Sequence, residues 1–543
     1  MTTLPGIRVP AFARKAVAGS AVLALSLLSA CENSASPTAA ASGDAKQCLQ
    51  QLGGLDLQQA TIPDLQAAFA SGALSSERLT AAYLQRIAAF DGGGPKLNSM
   101  RALASDALAQ ARAADAARRS GAVQGPLAGI PVVLKDNIGT RDLPTTAGSI
   151  ALANNIPLSE AFITTRLRAA GAIVLGKTNL SEFANWVDLR MPSGYSSLGG
   201  QVIAPYDFLA SPLGSSSGSA VAAAMALATA AVGSETSGSI ISPAIVQSLV
   251  GVKPTLGLVS RSGVIPLAHS FDTAGPMTRN VTDAAILLGV LAGVDASDDA
   301  SPRFVAALDG VVPDYAAALK ADALQGARLG VRSIDLLGTT TERFTEALAV
   351  LRAQGAEIVT IGDADSLIGL QLTTALAAIP NEFKWYLNRY LAEEAGPYIP
   401  VRTLGEIIEY NQDFPEQVKY GQSLLIASNL QSGLALDLVY LAARTAAITP
   451  NQLWTDRIIE SYDLDAIIGP DSANTTIAAA AGYPNLTVPM GYDGQVPRGL
   501  SFAGTAFSEE RLLALAYAYE QATKLRRPPQ ELNPELRAFC PPG

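Results

Sequence analysis

The sequence predicts an α/β protein with a covered sheet. From about residue 55 onward, short apolar stretches ending in polar residues alternate with amphipathic ones of helical period, the pattern of a sheet buried under helices. No repeat period divides the 543 residues, and no linker interrupts them after residue 50. With 49% hydrophobic residues, a chain of this length can bury one large core.

The elements follow in order. Residues 61–89 read as two helices, with Ser75 or Ser76 placed to cap the second. An alanine-rich amphipathic helix is expected at about 101–119. GIPVVLKDN (129–137) is a short buried strand, EAFITTRLRAAG (160–171) a helix and AIVLGKTN (172–179) another strand. Between Asp207 and Glu235 there is no charge, and the apolar run Ala220–Val232 is too short for a membrane span, so it predicts a buried core helix. Strands at 327–331 and 356–360 flank a further helix, and IIGP near 467 and NLTVPM near 485 complete the core strands.

The N-terminus reads as an export signal. Arg8, Arg14 and Lys15 precede the apolar run Ala16–Ala30, which ends in Leu28-Ser29-Ala30-Cys31. That ending resembles the lipobox of bacterial lipoproteins, and the resemblance implies a signal peptide over 1–30, lipidation of Cys31 and membrane attachment through the acyl chains. An ordinary cleaved signal with an incidental cysteine is the other reading. Residues 31–48 are mostly small and polar and read as a disordered tether, leaving 49–543 as the globular domain. Glu32 lacks the Asp often linked to inner-membrane retention, so the anchor leans toward the outer membrane, facing the periplasm. Cys48 and Cys540 stand at the two ends of the domain; in an oxidising compartment they are either a disulfide or two unrelated thiols.

Composition narrows the function. With 38 basic and 48 acidic residues the net charge is −10, which offers no footprint for nucleic acid. Three cysteines and one histidine leave little material for a metal site, and neither metal nor cofactor is expected. Gly171-Ala172-Ile173-Val174-Leu175-Gly176-Lys177-Thr178 fits the spacing of a phosphate-binding loop, but a helix precedes it and its middle is strand-forming, the reverse of what phosphate needs. His269 is the only histidine, and no G-x-S-x-G elbow accompanies it. A lone histidine more often packs or lines a loop, so a serine hydrolase here needs another base.

Two serine-glycine clusters supply candidates: Gly214-Ser215-Ser216-Ser217-Gly218-Ser219, and Gly233-Ser234-Glu235-Thr236-Ser237-Gly238-Ser239. Glycines let consecutive N–H groups turn inward, as an oxyanion hole requires. Lys135-Asp136-Asn137 sits at a strand end, where a desolvated lysine can lose its proton and act as a base.

These motifs, with TTAGS (145–149), GKTNLSEFAN (176–185), GVKPTLGLVSRSGVIP (251–266), DTAGPMTR (272–279) and GYPNLTVPMGY (482–492), resemble the amidase signature family from about 55 to 525. The resemblance implies a single domain, a large mixed sheet covered by helices on both faces. It implies Ser239 as nucleophile, Ser215 as a bridging serine held in a cis peptide, Lys135 as base, and backbone N–H groups of Thr236, Ser237, Gly238 and Ser239 as the oxyanion hole. SGSIISPA with GSSSGSAVA is most similar to the peptide amidase branch, which removes C-terminal amides from peptides. Ile241 stands where many members carry Arg, which disfavours small dicarboxylate-type amides. Phe383, Trp385 and Tyr386 in NEFKWYLNRYL are either pocket or core residues. Competing expectations are an aryl-acylamidase or a lactam or oligoamide hydrolase, and, in another class, a non-catalytic lipoprotein that binds peptides or cell wall. The transamidosome member of the family, which works in the cytoplasm with partner chains, is disfavoured by the export signal.

Overall fold

The computed structural model describes residues 51–122, 125–336, 342–362, 365 and 371–539. Cys31, Cys48 and Cys540 lie outside the described residues, as do the signal and tether expected over 1–48.

Eleven strands form one sheet. In chain order they are β1 (Met100–Leu103), β2 (Pro131–Lys135), β3 (Ile173–Thr178), β4 (Ala230–Glu235), β5 (Val250–Lys253), β6 (Thr273–Thr278), β7 (Arg328–Arg332), β8 (Glu357–Ile361), β9 (Ala466–Pro470), β10 (Asn485–Asp493) and β11 (Val496–Ala503). Across the sheet the order is β8-β7-β9-β11-β10-β5-β6-β4-β2-β3-β1. Strands β2, β3 and β4 run parallel to one another, as do β7, β8 and β9, and the remaining pairs are antiparallel. The sheet is therefore mixed. Every residue of β2, β3 and β4 is buried with no alternation, so helices cover both faces there.

Local chemistry sets the helices. Thr61 and Asp64 close a reciprocal capping box on the helix Ile62–Ser71, and Ser75 caps the helix Ser76–Ile87 through the N–H of Arg78. Two expectations need correction. The helix expected at 101–119 begins only at Ala107, because Met100–Leu103 pairs antiparallel with β3 as an edge strand. The run Ala220–Val232 is not one helix. A fully buried helix, Ser217–Ala224, turns at Ala226 in a left-handed conformation, and the chain then enters β4.

The phosphate-loop spelling at 171–178 is strand β3. Lys177 there is fully buried, donates to Thr145 Oγ1 at 2.7 Å and pairs with Asp136 at 3.5 Å, so no loop cradles a phosphate. Among the described residues no helix is long and apolar enough to cross a membrane.

Candidate active site

Parallel pairing builds the site. Leu134 of β2 is in register with Val232 of β4, so the carboxyl ends of both strands arrive at one edge and bring Lys135 beside Ser234. The buried helix Ser217–Ala224 delivers the first serine cluster to the same edge. Its packing depends on Gly218, where a Cβ would lie 2.3 Å from Asn179 O and 2.4 Å from Ser99 O.

Lys135 is fully buried. Its Nζ donates to Ser215 Oγ at 2.8 Å, to Ser234 Oγ at 3.0 Å and to Ser234 O at 3.0 Å. Among the described residues no carboxylate is within hydrogen-bond reach of it. Burial lowers the lysine pKa from 10.5 to about 7, against the opposing pull of Asp272 and Glu235. The amine can thus be neutral near physiological pH and take a proton from a hydroxyl.

Ser215 is fully buried, and the Gly214–Ser215 peptide is cis. Its carbonyl accepts from Ser181 N at 3.1 Å, and the next residue, Ser216, donates its N–H to Ser239 O at 3.1 Å. That bond joins the two serine clusters directly. Ser239 itself is buried, with 6% exposure. Its Oγ has no protein hydrogen-bond partner among the described residues, so the link from Lys135 to Ser215 is formed while the step to Ser239 is open. Catalytic hydrogen bonds often tighten only once substrate is bound.

The segment Thr236–Ser239 forms a tight turn with Gly238 in the left-handed region (φ 81°). Among the described residues the N–H groups of Ser237, Gly238 and Ser239 donate to no protein acceptor. Free N–H groups around a hydroxyl are what an oxyanion needs.

Three residues that sequence reasoning did not single out hold this geometry. Glu235 Oε2 accepts from Ile240 N at 2.7 Å and Ile241 N at 3.0 Å, pinning the chain just past Ser239. Its signal was present: Glu235 is the first charge after the uncharged stretch that follows Asp207. Asp272 accepts from Thr236 Oγ1 at 2.5 Å and from Leu267 N and Ala268 N at 2.8 Å each, tying a second loop to the turn; burial raises its pKa to about 6. Asn137 donates to Ser234 Oγ at 2.9 Å and so orients one of the lysine's acceptors. The Asp272–Thr236 and Asn137–Ser234 pairings join residues remote in sequence, and the bonds of Glu235 to Ile240 and Ile241 follow no motif spacing.

A small cavity lies against this cluster, between Asn137, Ser234, Thr236 and Asp272 on one side and Phe183, Ile265 and Leu267 on the other. Phe183 and Ala184 both have positive φ (44° and 57°), an uncommon turn for such residues. Phe183 meets Phe383 edge-on with ring centroids 5.6 Å apart. Phe383 is therefore core support, whereas Trp385 and Tyr386 face a neighbouring cavity. Ile241 is fully buried. His269 stacks on Tyr386 at 3.9 Å, and burial lowers its pKa to about 3. It lines the neighbouring cavities and not the one beside Ser234. No group of three or more His, Cys, Asp or Glu residues able to hold a metal occurs among the described residues.

The Amidase family profile matches residues 78–513. A probable amidase of Arabidopsis thaliana is 37% identical over 486 residues, covering 87% of this chain and 92% of the plant protein. Among solved structures, native peptide amidase from Stenotrophomonas maltophilia aligns with a TM-score of 0.82 at 43% identity, over 87% of this chain and 98% of that one. An amidase family protein from Bacillus anthracis aligns with a TM-score of 0.81 at 36% identity, over 90% and 97%. Family profile, relatives and fold agree over most of the described domain: this chain belongs to the amidase family and is an amide hydrolase of the amidase signature type.

Proposed function

We propose that the chain hydrolyses C-terminally amidated peptides, or closely related uncharged carboxamides, through an acyl-enzyme. One observation carries the mechanism: a fully buried lysine, with no carboxylate in hydrogen-bond reach among the described residues, donates at 2.8 Å to the hydroxyl of Ser215. In this reading neutral Lys135 takes the Ser215 proton while Ser215 takes the Ser239 proton. Ser239 Oγ attacks the carboxamide carbon, and N–H groups of Thr236, Ser237, Gly238 and Ser239 hold the oxyanion. The relay returns the proton to the departing ammonia, and water then releases the free acid by the same route.

The substrate assignment is supported by the 43% identity to the Stenotrophomonas enzyme, whose name states its activity, and by the apolar wall of Phe183, Ile265 and Leu267 beside the cluster. Ile241 offers no charge to an anionic acyl group at that position. Ammonia release from a C-terminally amidated dipeptide, measured beside Ser239→Ala, tests the reading. Release by the wild type alone supports nucleophile and substrate together. Release by neither, followed by turnover of an anilide or a lactam, would replace the substrate class and keep the relay. Silence across that panel would favour a binding lipoprotein.

The same reading places the enzyme outside the cytoplasm. Residues 1–30 would be removed, Cys31 acylated and the domain held near the outer membrane by residues 31–48, with Cys48 and Cys540 bridged. Cys31→Ser should move the protein from the membrane fraction to the soluble one, and an intact mass shift of 2 hydrogens on reduction would report the bridge.

A further inference from the structure

The loop from Ile265 to Asp272 divides two cavities. Ile265, Leu267 and Asp272 face the small one beside the catalytic cluster. His269 and Ser270 face a second, of about 500 Å³. Its aromatic wall is built from His269 stacked on Tyr386 at 3.9 Å and Trp385 stacked on Tyr386 at 4.3 Å. Arg261 lines both cavities, but it is buried and engaged by Asp298 and Asp299.

The second cavity also presents Arg303 and Arg444, and the one acidic residue of its lining, Asp299, is paired with Arg261. Neither has a carboxylate partner at ion-pair distance among the described residues. Arg444 is held in place from behind: its Nε donates to Ser270 Oγ at 2.5 Å, and that hydroxyl donates to Glu382 Oε1 at 2.5 Å. Glu382 accepts also from Ser270 N at 2.9 Å and Tyr440 Oη at 2.7 Å, so it is occupied and buried. Among the described residues the terminal nitrogens of Arg444 have no hydrogen-bond or ion-pair partner, and Arg444 lines the cavity. Burial, with the charges of Arg444 and Arg261 adding to it, lowers the pKa of Arg303, so the three cations lie within Coulomb reach of one another. A bound anion would relieve that repulsion. A further cavity of about 470 Å³, also lined by His269 and Tyr386, presents Glu160, Asp295, Asp298, Asp299 and Glu394 against Arg261 and Arg389, an acidic excess that disfavours an anion.

We infer that the arginine-bearing cavity is a subsite for a carboxylate carried by the substrate, so that the enzyme prefers peptide amides with Glu or Asp upstream of the amidated residue. The inference rests on the peptide-amide reading above. From Thr236 the path runs through one side-chain hydrogen bond to Asp272, along two residues to Ser270, and through a second bond to Arg444. An extended peptide at about 3.4 Å per residue covers such a path within a few residues. The guanidinium matches a carboxylate in shape as well as charge, and the aromatic wall accepts the methylene stem.

Amidated tetrapeptides with Glu, Gln or Lys at each upstream position test this on the full-length protein. Ammonia release should show a KM about tenfold lower for Glu than for Gln at one position, Lys should be poorest there, and the preference should fade at high salt. In the double variant Arg303→Gln, Arg444→Gln the Glu and Gln peptides should have KM values within about twofold of each other, and turnover of both shows that it folds. Equal KM for Glu and Gln at every position, or a preference surviving in the double variant, would overturn the subsite. Binding of the same peptides, fluorescently labelled, to Ser239→Ala separates the two failures. If the Glu peptide binds more tightly through the arginines but no peptide amide is turned over, the substrate reading fails and the subsite stands.

Discussion

The burial of Lys135 makes a prediction in two coupled observables, activity and stability. A lysine with its ordinary pKa near 10.5 is neutral in roughly 0.03% of molecules at pH 7, whereas one near 7 is neutral in about half, a gain of more than a thousandfold in usable base. If Lys135 is the base, kcat/KM for an amidated dipeptide should rise about tenfold per pH unit below pH 6 and level off above about pH 8. Stability should follow the same group. The folded pKa lies below the unfolded one, so between about pH 7 and 10.5 the unfolded chain binds more protons and stability rises with pH; at pH 7 and below the full cost stands, on the order of 5 kcal/mol. Lys135→Met removes that cost. Of the acceptors it abandons, Ser234 Oγ keeps the Asn137 donor at 2.9 Å and Ser234 O keeps Ser216 Oγ at 3.0 Å, so only Ser215 loses its main partner. The variant should lose at least about 10²-fold in kcat yet unfold at a higher temperature than wild type at pH 7, with the difference closing toward pH 10. Initial rates and calorimetry across pH 5–10 decide it. A flat rate profile between pH 5 and 8, or a Lys135→Met variant with near-wild-type rate, would refute the reasoning.

Three further outcomes are expected. His269→Gln should keep the activity limb near pH 7 and most of kcat, because His269 stacks on Tyr386 away from Ser234 and stays neutral; a shift of that limb in the variant's pH profile would assign the base to histidine instead. Glu235→Ala should lower kcat about 10²-fold with little change in KM and reduce stability by about 2–4 kcal/mol, since two N–H groups lose a charged acceptor; Glu235→Gln should recover part of both in steady-state kinetics and denaturant titration. Gly218→Ala should cost about 3 kcal/mol or more and abolish activity, because its Cβ meets two backbone carbonyls below 2.5 Å; wild-type melting of that variant would mean the helix can shift without disturbing Ser215.

What the sequence disclosed follows from what periodicity can see. Strands β2 and β3 were legible because their residues are apolar on both faces and end in lysine and polar residues. Strand β1 was hidden because Met-Arg-Ala-Leu continues into an alanine-rich helix, and only pairing with β3 makes it a strand. The join inside Ala220–Val232 was hidden for a related reason: a buried helix and a buried strand have the same composition, and the turn between them uses Ala226 where a glycine would have announced it. Lys135, Ser215 and Ser239 were singled out through their motifs, and the fold brings Lys135 and Ser215 into contact. The parts played by Ser234, Glu235 and Asp272 were not legible, since Ser234 and Asp272 act on side chains the fold brings near from far along the chain, and the local bonds of Glu235 to Ile240 N and Ile241 N follow no motif spacing.

The sequence is also blind to why one lysine among several suits the role of base. Lys135, Lys177 and Lys253 all end or nearly end sheet strands, and all three are fully buried. Burial lowers each of them, Lys135 to about 7 and the other two to about 8. Depressed basicity therefore does not single out one of the three. Contact does. Lys177 is paired with Asp136 at 3.5 Å, which favours its charged form and leaves it bracing the loop that holds Thr145 and Thr146. Lys253 donates to the carbonyls of Tyr483 and Pro254, acceptors with no proton to give. Lys135 alone among the three touches two serine hydroxyls, and one of them adjoins the residue that binds the Ser239 carbonyl. A neutral amine at Lys253 would have nothing to deprotonate, and one at Lys177 meets only the hydroxyl of Thr145, which belongs to neither serine cluster; at Lys135 it has the Ser215 hydroxyl at 2.8 Å, next to the residue bonded to the Ser239 carbonyl.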